Sequence, residues 1–356
     1  MRILQLIDSL ETGGAERMAV NYANALVDEV SFSGLVASRK EGGLLTQLDS
    51  KVEYLFLNRS GIFDFKAILK LRKYIKTHNI SIIHAHGTSF FLAVFMKVVG
   101  LKVKILWHDH YGNSEFLEKR KKTILKISSL FFYKIITVNK LLTKWGVKNL
   151  YCNKIKYLPN FVFFENENEI ITLKGISDKR ILCLANLRPQ KNHGMLIDVA
   201  KKIKISFPDW SFHLIGKNFN DDYSSEIQKK IIDENLEDSV FIYDATNAVA
   251  SAIKQSSIGI LTSFSEGLPV SLLEYGYFGL PTIATAVGEI PIVLNMDNGI
   301  LIKSMDTDSF VQAIEKVITD INYRNLIGMK LKKEIHLNYT KEAVIINYIK
   351  FLSDEE

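Results

Sequence analysis

Ile258-Gly259-Ile260-Leu261-Thr262-Ser263-Phe264-Ser265-Glu266-Gly267-Leu268-Pro269-Val270-Ser271-Leu272-Leu273-Glu274 reads as one strand, one loop and one helix. The run Ile258–Leu261 is apolar and short enough for a buried strand. Ser265-Glu266-Gly267 is loop chemistry, Pro269 suits a first helical turn, and Val270–Phe278 carries on as a helix. The same unit recurs outward in both directions. Upstream, strands are expected at Arg2–Ile7, Phe32–Ala37, Ile80–Ala85, Val103–Trp107, Lys134–Val138 and Lys156–Leu158. Helices are expected at Ala15–Val27, Phe65–Thr77 and Ser89–Val99. A second series holds strands at Arg180–Ala185, Ser211–Ile215, Val240–Ile242, Thr282–Ala284 and Ile300–Ile302. Its helices are expected at Gly194–Ser206, Glu226–Glu234, Ser309–Thr319, Tyr323–Ile335 and Lys341–Leu352. Such alternation implies parallel sheets with helices on both faces. The fold class is α/β, with two tandem doubly wound, Rossmann-like domains facing a cleft. The first series ends near Pro159-Asn160, and the polar stretch Glu165-Asn166-Glu167-Asn168-Glu169 reads as a linker.

Composition narrows the function classes. The 356 residues are 47% hydrophobic and 24% charged, which suits a folded globular chain and excludes disorder. Cys152 and Cys183 are too few for a disulfide framework or a Cys-rich zinc site, so a reducing compartment is expected. The run before Asp8 and Glu11 reads as a strand rather than a secretory signal. The apolar stretch Phe90–Leu101, broken by Lys97, falls short of the ~20 residues that span a bilayer. A cytoplasmic protein is expected, with peripheral attachment to the inner face of the cytoplasmic membrane left open.

The net charge of +6 is unevenly spread. Residues 1–163 hold 25 Lys and Arg against 12 Asp and Glu, and residues 164–356 hold 20 against 27. One basic cluster, Lys119, Arg120, Lys121 and Lys122, precedes Ile124, Leu125, Ile127, Leu130, Phe131 and Phe132. That composition fits either a helix lying on an anionic membrane or a solvated face beside a buried one. No nucleic-acid recognition motif accompanies the charge, and no nucleic-acid partner is expected.

Several residues sit where a doubly wound sheet binds ligands, beyond the carboxyl ends of its strands. Gly13-Gly14 follows the first strand and opens a helix, where backbone can approach an anion; a plain tight turn explains it equally. It lacks the third glycine of a dinucleotide fingerprint. Leu187-Arg188-Pro189-Gln190-Lys191 follows the first strand of the second series. Its Arg188 and Lys191 suit a diphosphate or, as readily, an exposed charged loop. Glu266 and Glu274 aim two carboxylates at one strand-end region, able to accept the hydroxyls of a ribose or sugar. The alternative makes Glu266 a cap and Glu274 a buried, paired group. His84 and His86 share one strand face, but no third metal ligand is evident from the sequence, so no metal is expected.

Glu266 and Glu274 within Ser-Glu-Gly-Leu-Pro resemble the signature of retaining GT-B glycosyltransferases, most closely family 4, the glycosyltransferase group 1 proteins. Gly13-Gly14-Ala15-Glu16-Arg17, His84-Ala85-His86-Gly87, Leu158-Pro159-Asn160, Lys191, Ile215-Gly216 and Pro281–Gly288 are similar to further family marks in the same order. The resemblance implies GT-B architecture. Residues 1–163 would bind the acceptor, 164–340 the nucleotide-sugar, and 341–356 would form a helix returning to the first domain. It implies transfer, with retention and without a metal or other cofactor, from a UDP- or GDP-sugar to a saccharide or lipid-linked saccharide in bacterial surface polysaccharide assembly. Glu274 would hold the ribose, Glu266 the donor sugar, Lys191 the diphosphate, and Gly14 would close on the phosphates. Gly216, Gly267, Leu268, Pro269 and Val270 would complete the donor site. His108 is the match to the family's functional histidine, with His110 as an alternative. Asn186 stands where the family usually has arginine, and Arg188 is the nearest replacement. A nucleotide-sugar epimerase or phosphorylase, or a non-catalytic subunit of a glycosylation complex, shares this architecture.

Overall fold

Thirteen strands form two wholly parallel sheets in the computed structural model, which describes residues 1–61, 64–164 and 169–354. The first seven are β1 (Arg2–Ser9), β2 (Phe32–Lys40), β3 (Glu53–Phe56), β4 (Ile82–His86), β5 (Lys104–Asp109), β6 (Lys134–Thr137) and β7 (Ile155–Tyr157). They lie in the order β3-β2-β1-β4-β5-β6-β7. The other six are β8 (Arg180–Leu184), β9 (Ser211–Ile215), β10 (Val240–Tyr243), β11 (Ile258–Leu261), β12 (Thr282–Thr285) and β13 (Ile300–Ile302), ordered β10-β9-β8-β11-β12-β13. Each sheet reverses direction once, between β1 and β4 in the first and between β8 and β11 in the second. Those are the topological switch points, where neighbouring loops diverge and leave a crevice.

Two units divide the chain: Met1–Phe163 together with the last helix, Lys341–Ser353, and Phe164–Thr340. In the first unit, helices Phe65–Thr77 and Phe90–Val98 bury Leu71, Ile75, Ala93 and Met96 on one face of the sheet, against Ile83, Ile105 and Trp107. Ala19, Val20 and Ala23 of helix Gly14–Ala25 cover Ile7, Leu35 and Ala37 in another cluster. The second unit has a core built on Ile181, Phe212, Leu214, Ile258, Ile260 and Ile283. Strands buried on both faces need near-continuous apolar sequence, which is why they are legible as short runs. Polar side chains start the helices: Asp64, Asn139, Asn192, Asp221, Asp306 and Asp320 each accept a backbone N–H of the first turn.

The structure adds β3, a short and partly exposed edge strand, and helix Lys140–Asn149. Neither is among the expected elements, and the helix is announced only by the Asn139 cap. Strand β1 runs on to Ser9 and β5 to Asp109. The expected linker falls on residues 165–168, outside the described residues. No helix of the described residues is long and apolar enough to cross a membrane.

The last helix belongs to the first unit through Val344, Ile345, Tyr348 and Leu352, all buried. Its carboxyl end is held by Lys134 of β6, whose Nζ donates to the carbonyls of Phe351 and Asp354. A buried ammonium on the last carbonyls satisfies acceptors that the helix cannot and complements its dipole. Lys134→Met should destabilise the protein by about 1–3 kcal/mol, with faster amide exchange confined to 341–353. Denaturant unfolding and hydrogen exchange check this.

Candidate active site

At the switch point of the second sheet, the loops after β8 and β11 are stitched together. Thr262 Oγ1 donates to the carbonyls of Lys191 (3.0 Å) and Asn192 (3.2 Å), and Phe264 N–H donates to Gln190 O at 2.8 Å. Asn192, left-handed at φ 54°, turns the chain into helix His193–Ser206. This brings Lys191 Nζ to 2.6 Å from Glu266 Oε1. Ser263 Oγ donates to the same oxygen at 2.7 Å. The Glu266 side chain is 5% exposed and that of Lys191 18%. Both bonds fall on Oε1, so Oε2 remains for a hydroxyl donor. The pair holds a carboxylate and an ammonium at one point, the combination that binds a hydroxylated anion.

Glycines permit this geometry. A Cβ on Gly216 would stand 2.1 Å from Ala185 O, so the loop after β9 lies flat on that after β8 only because Gly216 has none. Asn186 then accepts the Lys217 N–H at 2.8 Å. Asn186 is thus a clamp between two loops, a role its sequence position does not reveal. Arg188 is exposed and lies over the Phe219 ring, 4.7 Å from its centroid. Gly288, at φ 57°, sits under the Glu266 carbonyl, where a Cβ would come within 2.2 Å. Glu289 N–H donates to Gly267 O at 2.9 Å. Gly267, Leu268, Pro269 and Val270 are all buried where the loop enters helix Val270–Phe278. Pro269 stands one residue before the helix rather than in its first turn. Glu274, 7% exposed, projects from that helix.

The first unit holds Gly13, Gly14 and His108. Gly13 caps helix Gly14–Ala25, and apart from its chain neighbours and its own helix backbone nothing described lies within 4 Å of a Cβ built on Gly14, so packing does not demand glycine there. Asp8, at the end of β1, was not singled out from sequence. It accepts Ser38 Oγ and Thr88 Oγ1, each at 2.6 Å, and pairs with Arg59 at 3.3 Å, tying the end of β2 to the segments that follow β3 and β4.

His108 is fully buried, whereas His110 is partly exposed. Adjacent strands β4 and β5 bring His84, His86 and His108 together, with candidate ligand atoms within 4.8 Å of one another. This corrects the expectation that His84 and His86 have no third partner: the pairing of β4 with β5, invisible in sequence, places His86 opposite His108. The rings are joined in pairs, His84 Nε2 to His108 Nδ1 at 3.2 Å and His86 Nδ1 to His110 Nε2 at 3.0 Å. Tyr348 OH meets His84 Nδ1 at 3.1 Å, and Gln5 Oε1 meets His86 Nε2 at 2.9 Å. Tyr22 packs against His84, His108 and Tyr348. Burial holds His84, His86 and His108 well below the usual imidazole range and pushes His110 down to about 3. Neutral imidazoles bonded to one another need no counter-charge.

The basic segment also differs from its sequence reading. Arg120 is not on the surface. Its side chain is 8% exposed and grips Asp109 through two bonds, at 2.7 and 2.8 Å, between the rings of Tyr111 and Trp145. A buried carboxylate at the end of β5 is matched by the Arg120 guanidinium. Lys119, Lys121 and Lys122 stay exposed. The apolar residues follow on a short helix, Thr123–Ser128, and a 3-10 turn, with Ile124, Ile127 and Leu130 exposed.

The chain is similar to known glycosyltransferases over most of its length. Residues 165–334 match the family model for glycosyl transferases group 1, and residues 12–165 that for glycosyltransferase family 4. An Escherichia coli UDP-Gal:alpha-D-GlcNAc-diphosphoundecaprenol alpha-1,3-galactosyltransferase is 28% identical, over 90% of this chain and 89% of its own. A Campylobacter jejuni alpha-1,4-N-acetyl-D-galactosaminyltransferase, named for an undecaprenol-diphosphate-linked acceptor, is 24% identical over 96% of both. Among solved structures, Anabaena Alr3699/HepE in complex with UDP and glucose superposes with a TM-score of 0.81 at 17% identity, covering 99% of each chain. That likeness shows a shared fold.

Two measurements test the site's energetics. Lys191→Met strands a buried carboxylate and should cost about 3–5 kcal/mol, most of it recovered when Glu266→Gln is added. A double-mutant cycle in denaturant reads this directly. The second is pH. An unfolded histidine takes a proton near pH 6.5, whereas folded His110 does so near 3, His193 and His213 near 4, and the other three lower still than an ordinary imidazole. The unfolded chain therefore binds more protons below about pH 6.5. Stability should fall as pH drops from there towards 4, by about 1.4 kcal/mol per pH unit for each such group. Equal unfolding midpoints at pH 7 and pH 5 would contradict this.

Proposed function

The chain belongs to the family 4, group 1 glycosyltransferases, and on that premise we propose that it is a retaining, metal-independent hexosyltransferase. Its donor is a UDP- or GDP-sugar, and its acceptor a hydroxyl of a saccharide or lipid-linked saccharide in bacterial surface polysaccharide assembly. The observation that carries this reading is the Lys191–Glu266 pair at the switch point of the second sheet. The E. coli and C. jejuni relatives, both named for alpha linkages on diphospho-undecaprenol carriers, support the acceptor class and retention.

The chemistry follows from the charges. As the bond from the anomeric carbon to the diphosphate breaks, negative charge grows on the leaving phosphate. Lys191, Arg188 and the backbone N–H groups entering helices His193–Ser206 and Val270–Phe278 offset that charge, the task a divalent cation performs elsewhere. Glu266 Oε2 accepts hydroxyls of the donor sugar while Lys191 and Ser263 fix the carboxylate. Glu274 accepts the ribose hydroxyls. The acceptor hydroxyl attacks from the face the diphosphate leaves, and its proton passes to the leaving phosphate. His108 is fully buried and held neutral, so this reading gives it no acid or base step.

The first unit also docks, in this reading, on an anionic membrane surface. Lys119, Lys121 and Lys122 supply charge next to exposed Phe116, Ile124, Ile127 and Leu130. Arg120 contributes none.

Nucleotide-dependent thermal stabilisation in EDTA should single out one base, since ligand binding to the folded state raises Tm by mass action. Glu266→Gln should lower turnover by about a hundredfold or more while that shift persists. Loss of transfer in EDTA, restored by a divalent cation, would refute metal independence. Co-sedimentation with anionic vesicles should be strong at low salt and fall when Lys119, Lys121 and Lys122 become Glu.

A further inference from the structure

Strands β4 and β5 carry three histidines whose side chains converge inside the first unit. His84, His86 and His108 are each fully buried, and one ring nitrogen from each lies within 4.8 Å of the other two. One pair of nitrogens is already at the spacing of two ligands on a single metal ion. His84 Nε2 stands 3.2 Å from His108 Nδ1. Two nitrogens held about 2.0–2.1 Å from a zinc ion at a tetrahedral angle are roughly 3.3 Å apart. Three histidines with no carboxylate are a complete protein ligand set for zinc. Asp109, on the same strand as His108, is taken by Arg120.

The rings are also held as ligating histidines require. A ligating imidazole gives one lone pair to the metal and donates its other N–H to an acceptor, which fixes its tautomer. His86 Nε2 meets Gln5 Oε1 at 2.9 Å. An amide oxygen only accepts, so His86 carries its hydrogen there and presents a lone pair at Nδ1. His84 Nδ1 meets the Tyr348 hydroxyl at 3.1 Å; by donating to it, His84 presents a lone pair at Nε2. Burial holds all three rings well below the usual imidazole range, so protons do not compete for those lone pairs at neutral pH. Two polar atoms at the same place have no partner: His108 Nε2 and the hydroxyl of Tyr22, whose ring packs against His84 and His108. Buried orphans gathered at one point call for a bound water or ion.

We propose that His84, His86 and His108 bind one divalent transition-metal ion of the imidazole-preferring class, zinc foremost, with Tyr348 and Gln5 as positioning residues. The ion braces the first unit. It joins β4 to β5 directly and, through Gln5 and Tyr348, ties them to β1 and the last helix. It takes no part in sugar transfer, and the inference does not rest on the transferase reading. The metal-free protein stays folded because the rings then bond to one another. Binding exchanges those ring-to-ring bonds for metal bonds. His110, partly exposed beyond β5 and bonded to His86, marks the way in: it releases His86 and turns to water.

The test reads the metal rather than activity. Tag-free protein, stripped with a chelator and titrated with zinc in a calorimeter, should bind one equivalent and gain Tm by mass action. X-ray absorption at the zinc edge of the loaded wild type should show three imidazole nitrogens at about 2.0–2.1 Å and no sulfur. His86→Gln should abolish the equivalent, measured on protein whose circular dichroism matches the wild type. His336→Gln, exposed on the second unit, should keep it. Tyr348→Phe and Gln5→Met should each weaken zinc binding by about tenfold or more, a loss that a purely structural role for these residues would not produce. Unchanged affinity in both would remove their positioning roles. The site itself is overturned by any of three results: no zinc bound when zinc is in large excess, an equivalent that survives His86→Gln, or a zinc environment with sulfur or fewer than three imidazoles. If His86→Gln fails to fold, the imidazole count in the wild type decides. Transfer activity, present or absent, bears on the transferase reading alone.

Discussion

In the second unit the ion pair between Lys191 and Glu266 is where the strand-end architecture converges. Six parallel strands deliver their carboxyl ends to one edge, and order β10-β9-β8-β11-β12-β13 leaves β8 and β11 as neighbours whose loops diverge. A carboxylate 5% exposed is tolerable only with a partner. Lys191 supplies it, Thr262 and Phe264 bond the two loops so that the partners meet, and Ser263 holds the same carboxylate oxygen from within its own loop. Gly216 and Gly288 are glycines for the same reason, since each lets backbone press against Ala185 or Glu266. The resulting cost in stability is what a binding site pays for holding charge ready.

The first unit solves a similar problem without charge. Strands β4 and β5 carry three fully buried imidazoles, His84, His86 and His108, and His110 follows partly exposed just beyond β5. Each ring finds another ring, an amide or a phenol, and burial keeps them neutral. Asp109 cannot be neutralised in that way and takes Arg120. A basic residue that sequence assigns to the surface is therefore consumed by the interior. The last helix completes the arrangement, because Tyr348 closes over His84 and Tyr22 from a point in the chain far from both.

These two solutions divide the chemistry. A fixed ion pair with helix starts beside it favours an anion carrying hydroxyls. Neutral imidazoles bonded to one another keep polar groups inside the first unit without any counter-charge.

Sequence by itself determined the elements and the fold class. Strands buried on both faces must be short apolar runs, and helices must show amphipathic spacing, so Phe65–Thr77, Ser211–Ile215, Ile258–Leu261, Val270–Phe278 and Ile300–Ile302 were readable to the residue. It also marked Glu266, Glu274 and Lys191, through the resemblance of their spacing and context to a family signature. The edge strand β3, too short and half-exposed, left no such pattern. What only tertiary structure decided was pairing. Which strands are neighbours is not written in local periodicity, so the meeting of His84, His86, His108 and His110, the capture of Arg120 by Asp109, and the turning of Asn186 into a loop clamp were not legible. A side chain's type is a local property, whereas its partner is set by the register and order of strands that long-range packing selects.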